Sequence, residues 1–96
     1  MITMIARFKA KPGKESLLYE ECRITTKLVR ENEPGCMMYI PHIAKNNPAE
    51  IVLVSKYVDK EAFDNHLRSP HFKALAAKFG DLMVKVPDVQ MLKELE

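Results

Sequence analysis

The stretch Ile51-Val52-Leu53-Val54 decides the fold, because it is apolar on both faces of a predicted strand that runs to about Tyr57. Successive side chains of a strand point to opposite faces of a sheet, so Ile51 and Leu53 oppose Val52 and Val54. The helices of a mixed fold cover one of these faces. The other face needs a different cover, and the same sheet of a second copy can provide it, because two-fold pairing is the commonest form of oligomer. The stretch therefore predicts a homodimer, with a monomer that has a merely apolar strand as the alternative.

The periodicity of apolar residues on either side of this strand sets the fold class. In chain order the predicted elements are a strand over 2–9, a helix over 14–30, strands over 36–43 and 51–57, helices over 59–67 and 69–80, and a strand after Pro87. Asp59 and Ser69 are the expected N-caps of the two later helices, and Gly80 the expected C-cap. The order βαββααβ predicts a ferredoxin-like α+β fold, with the second helix of that pattern divided in two.

Length and composition bound the protein to one ordinary globular domain. The chain has 96 residues, of which 47% are hydrophobic and 29% charged, so residues 1–96 are expected to fold as a single soluble domain. Basic and acidic residues are interleaved and leave a net charge of +2, which gives no sign of a nucleic-acid surface. No apolar segment is long enough for a signal peptide or a membrane span, so we expect a cytoplasmic protein.

The residues that commonly bind metals are dispersed along the chain. Cys22 and Cys36 match no CxxC spacing, which favours two reduced thiols over a disulfide or a zinc site. The three histidines, His42, His66 and His71, fall in three predicted elements and form no HxH or HxxxH motif. We therefore expect no metal.

One acidic residue falls on the apolar side of the first predicted helix. At about 100° per residue, Glu21 and Thr25 lie within an arc of apolar side chains. The apolar members of this arc are Leu17, Leu18, Cys22, Ile24, Leu28 and Val29. A carboxylate in such a position snorkels, pairs with a basic residue or lines a polar pocket. An ion pair and a role in substrate binding both stay open for Glu21.

His66 and two tyrosines are the residues whose side chains could carry chemistry. His66 lies four residues after Ala62 and three after Phe63, so it flanks the buried side of its predicted helix. It could be a hydrogen-bonded core residue or a general base in a cavity, because imidazole titrates near neutral pH. Tyr39 and Tyr57 are predicted strand residues that either pack in the core or donate a hydroxyl group into a pocket.

The segment from Val54 to Phe72 resembles the antibiotic biosynthesis monooxygenase domain family. The pattern is a strand that ends in an aromatic residue, then an Asp, then Ala-aromatic-x-x-His, then Ser-x-His-Phe. Its members here are Tyr57, Asp59, Ala62, Phe63, His66, Ser69, His71 and Phe72. The turns at 11–14 and 33–36 also resemble turns of the family, so the likeness spans the chain. It implies a dimeric α+β barrel with a pocket between sheet and helices.

Family members that this chain resembles include quinol monooxygenases that use no prosthetic group. The resemblance thus implies an oxidoreductase that acts with O2 on a small quinol or polyphenol, needs no cofactor and uses His66 as its catalytic base. The candidate substrate-binding residues are Tyr39, Tyr57, Glu21, His71 and Phe63. Haem degradation is not expected, because the haem-degrading branch has a Trp in place of His66 and a ligating His near Ala76. An isomerase or other small-molecule enzyme that uses the same pocket, or a ligand-binding dimer without turnover, is the alternative.

Overall fold

The computed structural model describes all 96 residues. The strands are β1 (Ile2–Lys9), β2 (Cys36–Ala44), β3 (Asn47–Tyr57) and β4 (Asp88–Lys93), and the helices are α1 (Glu15–Asn32), α2 (Lys60–Arg68), α3 (Pro70–Ala76) and α4 (Phe79–Leu82). The strands form one antiparallel sheet in the order β2-β3-β1-β4. This is the predicted ferredoxin-like α+β fold, with one short helix, α4, added before the last strand. None of the helices is both long and apolar enough to cross a lipid bilayer.

The two faces of the sheet differ in what covers them. Ile51 and Leu53 are each only 2% exposed, because they pack with Met4, Ala6 and Phe8 of β1 under the helices. The opposite face, which we call the open face, carries no helix. The register aligns three apolar residues across its central strands, and we call these residues the apolar row: Ile5, Val54 and Ile40. The prediction that β3 is apolar on both faces is thus confirmed.

Two side-chain caps define the junction between α2 and α3. The carboxylate of Asp59 accepts a hydrogen bond from the backbone N–H of Ala62 at 2.9 Å, as expected of an N-cap. The Ser69 hydroxyl oxygen accepts from the N–H of Phe72 at 3.2 Å and donates to the carbonyl of His66 at 2.6 Å. Ser69 therefore ends one helix and begins the next, which fixes the positions of both helices relative to each other.

The buried face of α1 differs from the predicted arc. Leu17 and Ile24, inside that arc, are 53% and 46% exposed, whereas Thr26, outside it, is buried together with Thr25. The Thr25 and Thr26 hydroxyl groups donate to backbone carbonyls four residues earlier, at 2.9 and 2.8 Å. Because these polar atoms are satisfied within the helix, the threonine methyl groups can face the sheet. A hydropathy pattern counts threonine as polar, so it left Thr26 out of the predicted buried face. It placed that face too far toward Leu17 and Ile24.

The C-terminal end of the helical segment also differs from the prediction. A single helix over 69–80 was expected, with Gly80 as its cap. Instead α3 ends at Ala76, and Gly80 lies inside α4 with a φ angle outside the left-handed region. Phe79, on α4, packs its ring against that of Phe8 with centroids 5.6 Å apart. The break after α3 lets Phe79 make this contact with the sheet.

Gly35 is where the chain entering β2 approaches α2 most closely. A Cβ atom at Gly35 would lie 2.6 Å from the Cβ of Ala62, which is attached directly to the helix backbone. We expect Gly35→Ala to lower the free energy of unfolding by about 1–3 kcal/mol, because α2 itself must shift to relieve the contact. Urea unfolding followed by circular dichroism measures this change.

The matched control is Gly80→Ala, because a Cβ at Gly80 meets nothing within 4 Å. Alanine is a better helix former than glycine, so this variant should be as stable as the wild type or more stable. Equal unfolding midpoints for Gly35→Ala and Gly80→Ala would contradict the close approach at Gly35.

Candidate active site

A cavity of about 280 Å³ lies between the helix-covered face of the sheet and the three short helices α2, α3 and α4. Thirteen residues line it, of which eleven are aliphatic or aromatic; the other two are His66 and Pro87, and none of the thirteen is an Asp, Glu, Lys or Arg. Val89 of β4 is part of the wall and is 56% exposed, so the cavity opens at this edge of the sheet. An apolar cavity with few polar groups is typical of a small-molecule site.

His66 is the one imidazole that lines the cavity, and it is only 1% exposed. Its ring packs against Tyr39, Tyr57 and Phe72, with centroids 5.5, 5.6 and 5.2 Å away. These contacts restrict rotation of the ring. The Nδ1 atom of His66 lies 2.9 and 3.1 Å from the two carboxylate oxygens of Glu33. One ring nitrogen is thus occupied by Glu33, and Nε2 makes no hydrogen bond within the chain.

Glu33 stands at the end of α1. Its backbone N–H donates to the carbonyl of Val29 at 2.9 Å and caps the helix, and Pro34 prevents the helix from continuing. The Glu33 side chain is 10% exposed, and one of its oxygens, Oε2, contacts both His66 and the Nε2 atom of His71. A carboxylate only accepts hydrogen bonds, so each imidazole donates to it. The network therefore assigns the hydrogen of His66 to Nδ1 and that of neutral His71 to Nε2.

Two tyrosines stay protonated next to His66. Tyr39 lines the cavity and is 5% exposed, and Tyr57 is fully buried with its ring edge-on to Phe63. Burial raises the pKa of both phenols above the usual range, because the charged form loses its solvation. The hydroxyl groups of Tyr57 and Ser55 are both buried, and neither residue lines the cavity.

The structure brings some of the sequence-predicted site residues together and separates others. His66, Tyr39 and Phe63 line the cavity. Tyr57 supports two of them from behind, and His71 contacts Glu33 rather than the cavity. Glu21 does not line the cavity, and its carboxylate pairs with the Nζ atom of Lys78 at 2.6 Å. Of the two roles left open for Glu21, the ion pair is the one that its position in the structure supports.

Glu33 is the functional candidate that the sequence analysis missed. It was noticed only as part of the turn at 33–36, since nothing in the local pattern links it to His66, 33 residues later in the chain. Its position directly before Pro34 and Gly35 was the available signal.

Glu33, His66 and His71 are also the group of side chains with the dimensions of a metal site. Their ligand atoms lie within 4.8 Å of one another. The expectation of no metal depended on the dispersal of the histidines along the chain, and α2 and α3 bring two of them to a centroid distance of 6.3 Å. In the structure the same nitrogen and oxygen atoms form hydrogen bonds with each other. A bound cation would have to displace the imidazole protons that form these two hydrogen bonds. The absence of a metal stays a prediction.

The two cysteines are free thiols. Burial raises the pKa of Cys22 to about 12, and burial together with the charge of Glu33 raises the pKa of Cys36 to about 11. A thiol reacts as a nucleophile only through its thiolate form. Neither cysteine is therefore a candidate nucleophile at neutral pH, although Cys36 lies near the candidate site.

A family model described as antibiotic biosynthesis monooxygenase matches residues 1–78 of the chain. Among curated proteins, the chain is similar to "Putative monooxygenase Rv0793" of Mycobacterium tuberculosis, with 30% identity over 95 residues that make up 99% of this chain and 92% of that protein. The solved structure of Rv0793 superimposes with a TM-score of 0.91, 29% identity and coverage of 99% of this chain and 95% of that chain.

Other solved structures are similar along almost the whole chain. A protein of Caulobacter crescentus described as a "putative antibiotic biosynthesis monooxygenase" has a TM-score of 0.92 and 26% identity, covering 99% of this chain and 90% of that chain. PA3566 of Pseudomonas aeruginosa, at 24% identity, shares the fold, with a TM-score of 0.92 over 99% of this chain and 94% of its own.

Proposed function

The chain belongs to the antibiotic biosynthesis monooxygenase family, and on that premise we propose that it oxidises a small, uncharged quinol or polyphenol with O2 in the cavity beside His66. The observation that carries the proposal is a single imidazole nitrogen, backed by the Glu33 carboxylate, at the wall of an otherwise apolar cavity. A general base can remove the phenolic proton, and the resulting phenolate is electron-rich. A cavity without water protects this intermediate from side reactions.

The cavity supports an uncharged substrate of limited size. A phosphate or carboxylate group would be buried here without a lysine or arginine among the lining residues, at a high desolvation cost. This argues against the isomerase alternative, at least for phosphorylated substrates. Engineered cavities of about 150 Å³ hold one benzene ring, so a cavity of about 280 Å³ suits roughly one or two aromatic rings.

In the proposed reaction, Nε2 of His66 accepts the phenolic proton and the substrate supplies the electrons. The ring carbon next to the phenolate carbon, which carries a hydrogen, bonds one oxygen of O2, and the protonated His66 returns its proton to form a hydroperoxide. His66 then takes the proton from that ring carbon, the O–O bond breaks, and the departing hydroxide receives the same proton. One quinol and one O2 thus give one hydroxyquinone and one water. Because the substrate reduces O2, the proposal requires no prosthetic group.

We also propose that the active form is a homodimer in the cytoplasm. The apolar row of Ile5, Val54 and Ile40 lies on the open face, with Ile40 39% exposed. Exposed apolar patches of this kind commonly mark interfaces, and a two-fold pairing of open faces would remove the row from water. The two free thiols are in keeping with a reducing compartment.

Oxygen consumption with a panel of phenols tests the proposed function. We expect the protein to consume O2 and an uncharged one-ring or two-ring quinol in equal amounts, above the rate of spontaneous oxidation without protein. The same rings carrying a sulfonate or phosphate group should not be turned over. If no quinol is oxidised above background while such compounds still bind, the ligand-binding alternative replaces the monooxygenase.

A further inference from the structure

We propose that Glu33 and His71 are positioning residues that hold His66 in the one tautomer able to act as a base in the cavity. The proposal deepens the function argued above and rests on it for its kinetic consequences. Its structural part concerns which nitrogen of His66 carries the hydrogen. That part can be measured without any substrate.

The first step is the tautomer of His66. Free neutral imidazole exchanges its hydrogen between the two nitrogens, and a hydrogen bond at one nitrogen selects one form. Both carboxylate oxygens of Glu33 lie within 3.1 Å of Nδ1, so the hydrogen belongs there and the lone pair belongs on Nε2. The Glu33 charge also stabilises the imidazolium that forms when Nε2 accepts a proton. A carboxylate has this role beside catalytic histidines in general.

The second step is what holds Glu33. The Glu33 side chain stands between the cavity region and a polar cleft of about 280 Å³ on the outer side, which it lines together with Asp59 and Asn65. No lysine or arginine forms a salt bridge with it. His71 instead donates to the same oxygen that contacts His66, and His71 is 9% exposed. His71 makes no hydrogen bond to His66, so its hydrogen-bonded link to the base runs through Glu33.

The third step is how the fold builds the cluster. Ser69 joins α2 to α3 and donates to the carbonyl of His66, so the two histidines, five positions apart, approach Glu33 from two helices. Gly35 allows the segment after α1 to reach α2. Neither Ser69 nor Gly35 lines the cavity. Together they explain how Glu33 and His71, which the proposed chemistry alone would not need, come to lie beside His66.

The experiment reads the tautomer by long-range ¹H–¹⁵N correlation spectra of the full chain labelled at histidine. In the wild type, at a pH where His66 is neutral, we expect a protonated Nδ1 and an unprotonated Nε2. In Glu33→Gln the neutral amide can donate as well as accept, so both tautomers of His66 should appear. The control Glu20→Gln, at a side chain 60% exposed and paired with Arg23, should leave the wild-type spectrum unchanged.

Kinetics with an oxidised quinol give the second measurement. Glu33→Gln should lower kcat by about 10–100-fold with little change in KM, because the side chain does not line the cavity. His71→Leu should lower kcat in the same way, and His71→Gln, whose amide N–H can replace Nε2–H, should recover most of it. The double variant Glu33→Gln/His71→Leu should be no slower than Glu33→Gln alone.

A wild-type His66 with its hydrogen on Nε2 would overturn the proposal. So would a Glu33→Gln protein that keeps the Nδ1–H tautomer together with full kcat. If no quinol is ever turned over, the proposed function fails while the spectra still decide the tautomer. The two failures are therefore distinguishable.

Discussion

His66→Ala is expected to lower the rate of quinol oxidation by about 10²-fold or more, because it removes the base that accepts the phenolic proton. No other lining residue can replace it: Tyr39 is a neutral phenol whose pKa is raised by burial, and the remaining walls are apolar. Oxygen uptake at saturating substrate measures the loss. The variant should fold and associate like the wild type, at a cost of about 1–3 kcal/mol for leaving Glu33 with one partner fewer.

The matched variant His66→Asn separates the loss of the base from the loss of the hydrogen bond. The side-chain amide of asparagine can donate to Glu33 from about the place of Nδ1, yet it offers the cavity no basic nitrogen. It should be as slow as His66→Ala but closer to the wild type in its unfolding midpoint. If His66→Ala keeps full turnover on a substrate that the wild type oxidises, His66 is not the base and the ligand-binding alternative gains.

Val54→Asp is expected to convert the proposed dimer into monomers. Val54 is the central residue of the apolar row and lies between Ile5 and Ile40 in the register. In a two-fold interface each substitution occurs twice, so two carboxylates are removed from water near each other. Like charges placed together at an interface cost several kcal/mol, which corresponds to association weakened by about 100-fold or more. Light scattering over a dilution series measures the change.

Val86→Asp makes the same chemical change outside the sheet, at a side chain that is 78% exposed, and should leave association unaltered. Circular dichroism should show the same secondary structure for both variants and the wild type. A wild-type chain that is monomeric at micromolar concentration with full secondary structure would remove the argument from the open face altogether.

Local patterns in the sequence determined the elements and the cavity-facing histidine. The period of two in β1, the short apolar run in β3 and the caps at Asp59 and Ser69 all act over a few residues, so the ferredoxin-like order could be predicted. The spacing of His66 from Phe63 predicted which side of α2 it occupies, because residues three positions apart on a helix lie on the same face. Cavity lining by both residues agrees with that phase.

Tertiary structure alone decided which chemical groups meet. Glu33 lies 33 and 38 residues from His66 and His71, and Glu21 lies 57 residues from Lys78, so no local periodicity relates them. The buried face of α1 was also decided by packing, since Thr25 and Thr26 satisfy their hydroxyl groups within the helix and then fit against the sheet. The spacing of apolar residues in the sequence shows which side of a single helix or strand is buried. The partner of a polar group depends on how separate elements are packed, and that is set by the whole chain.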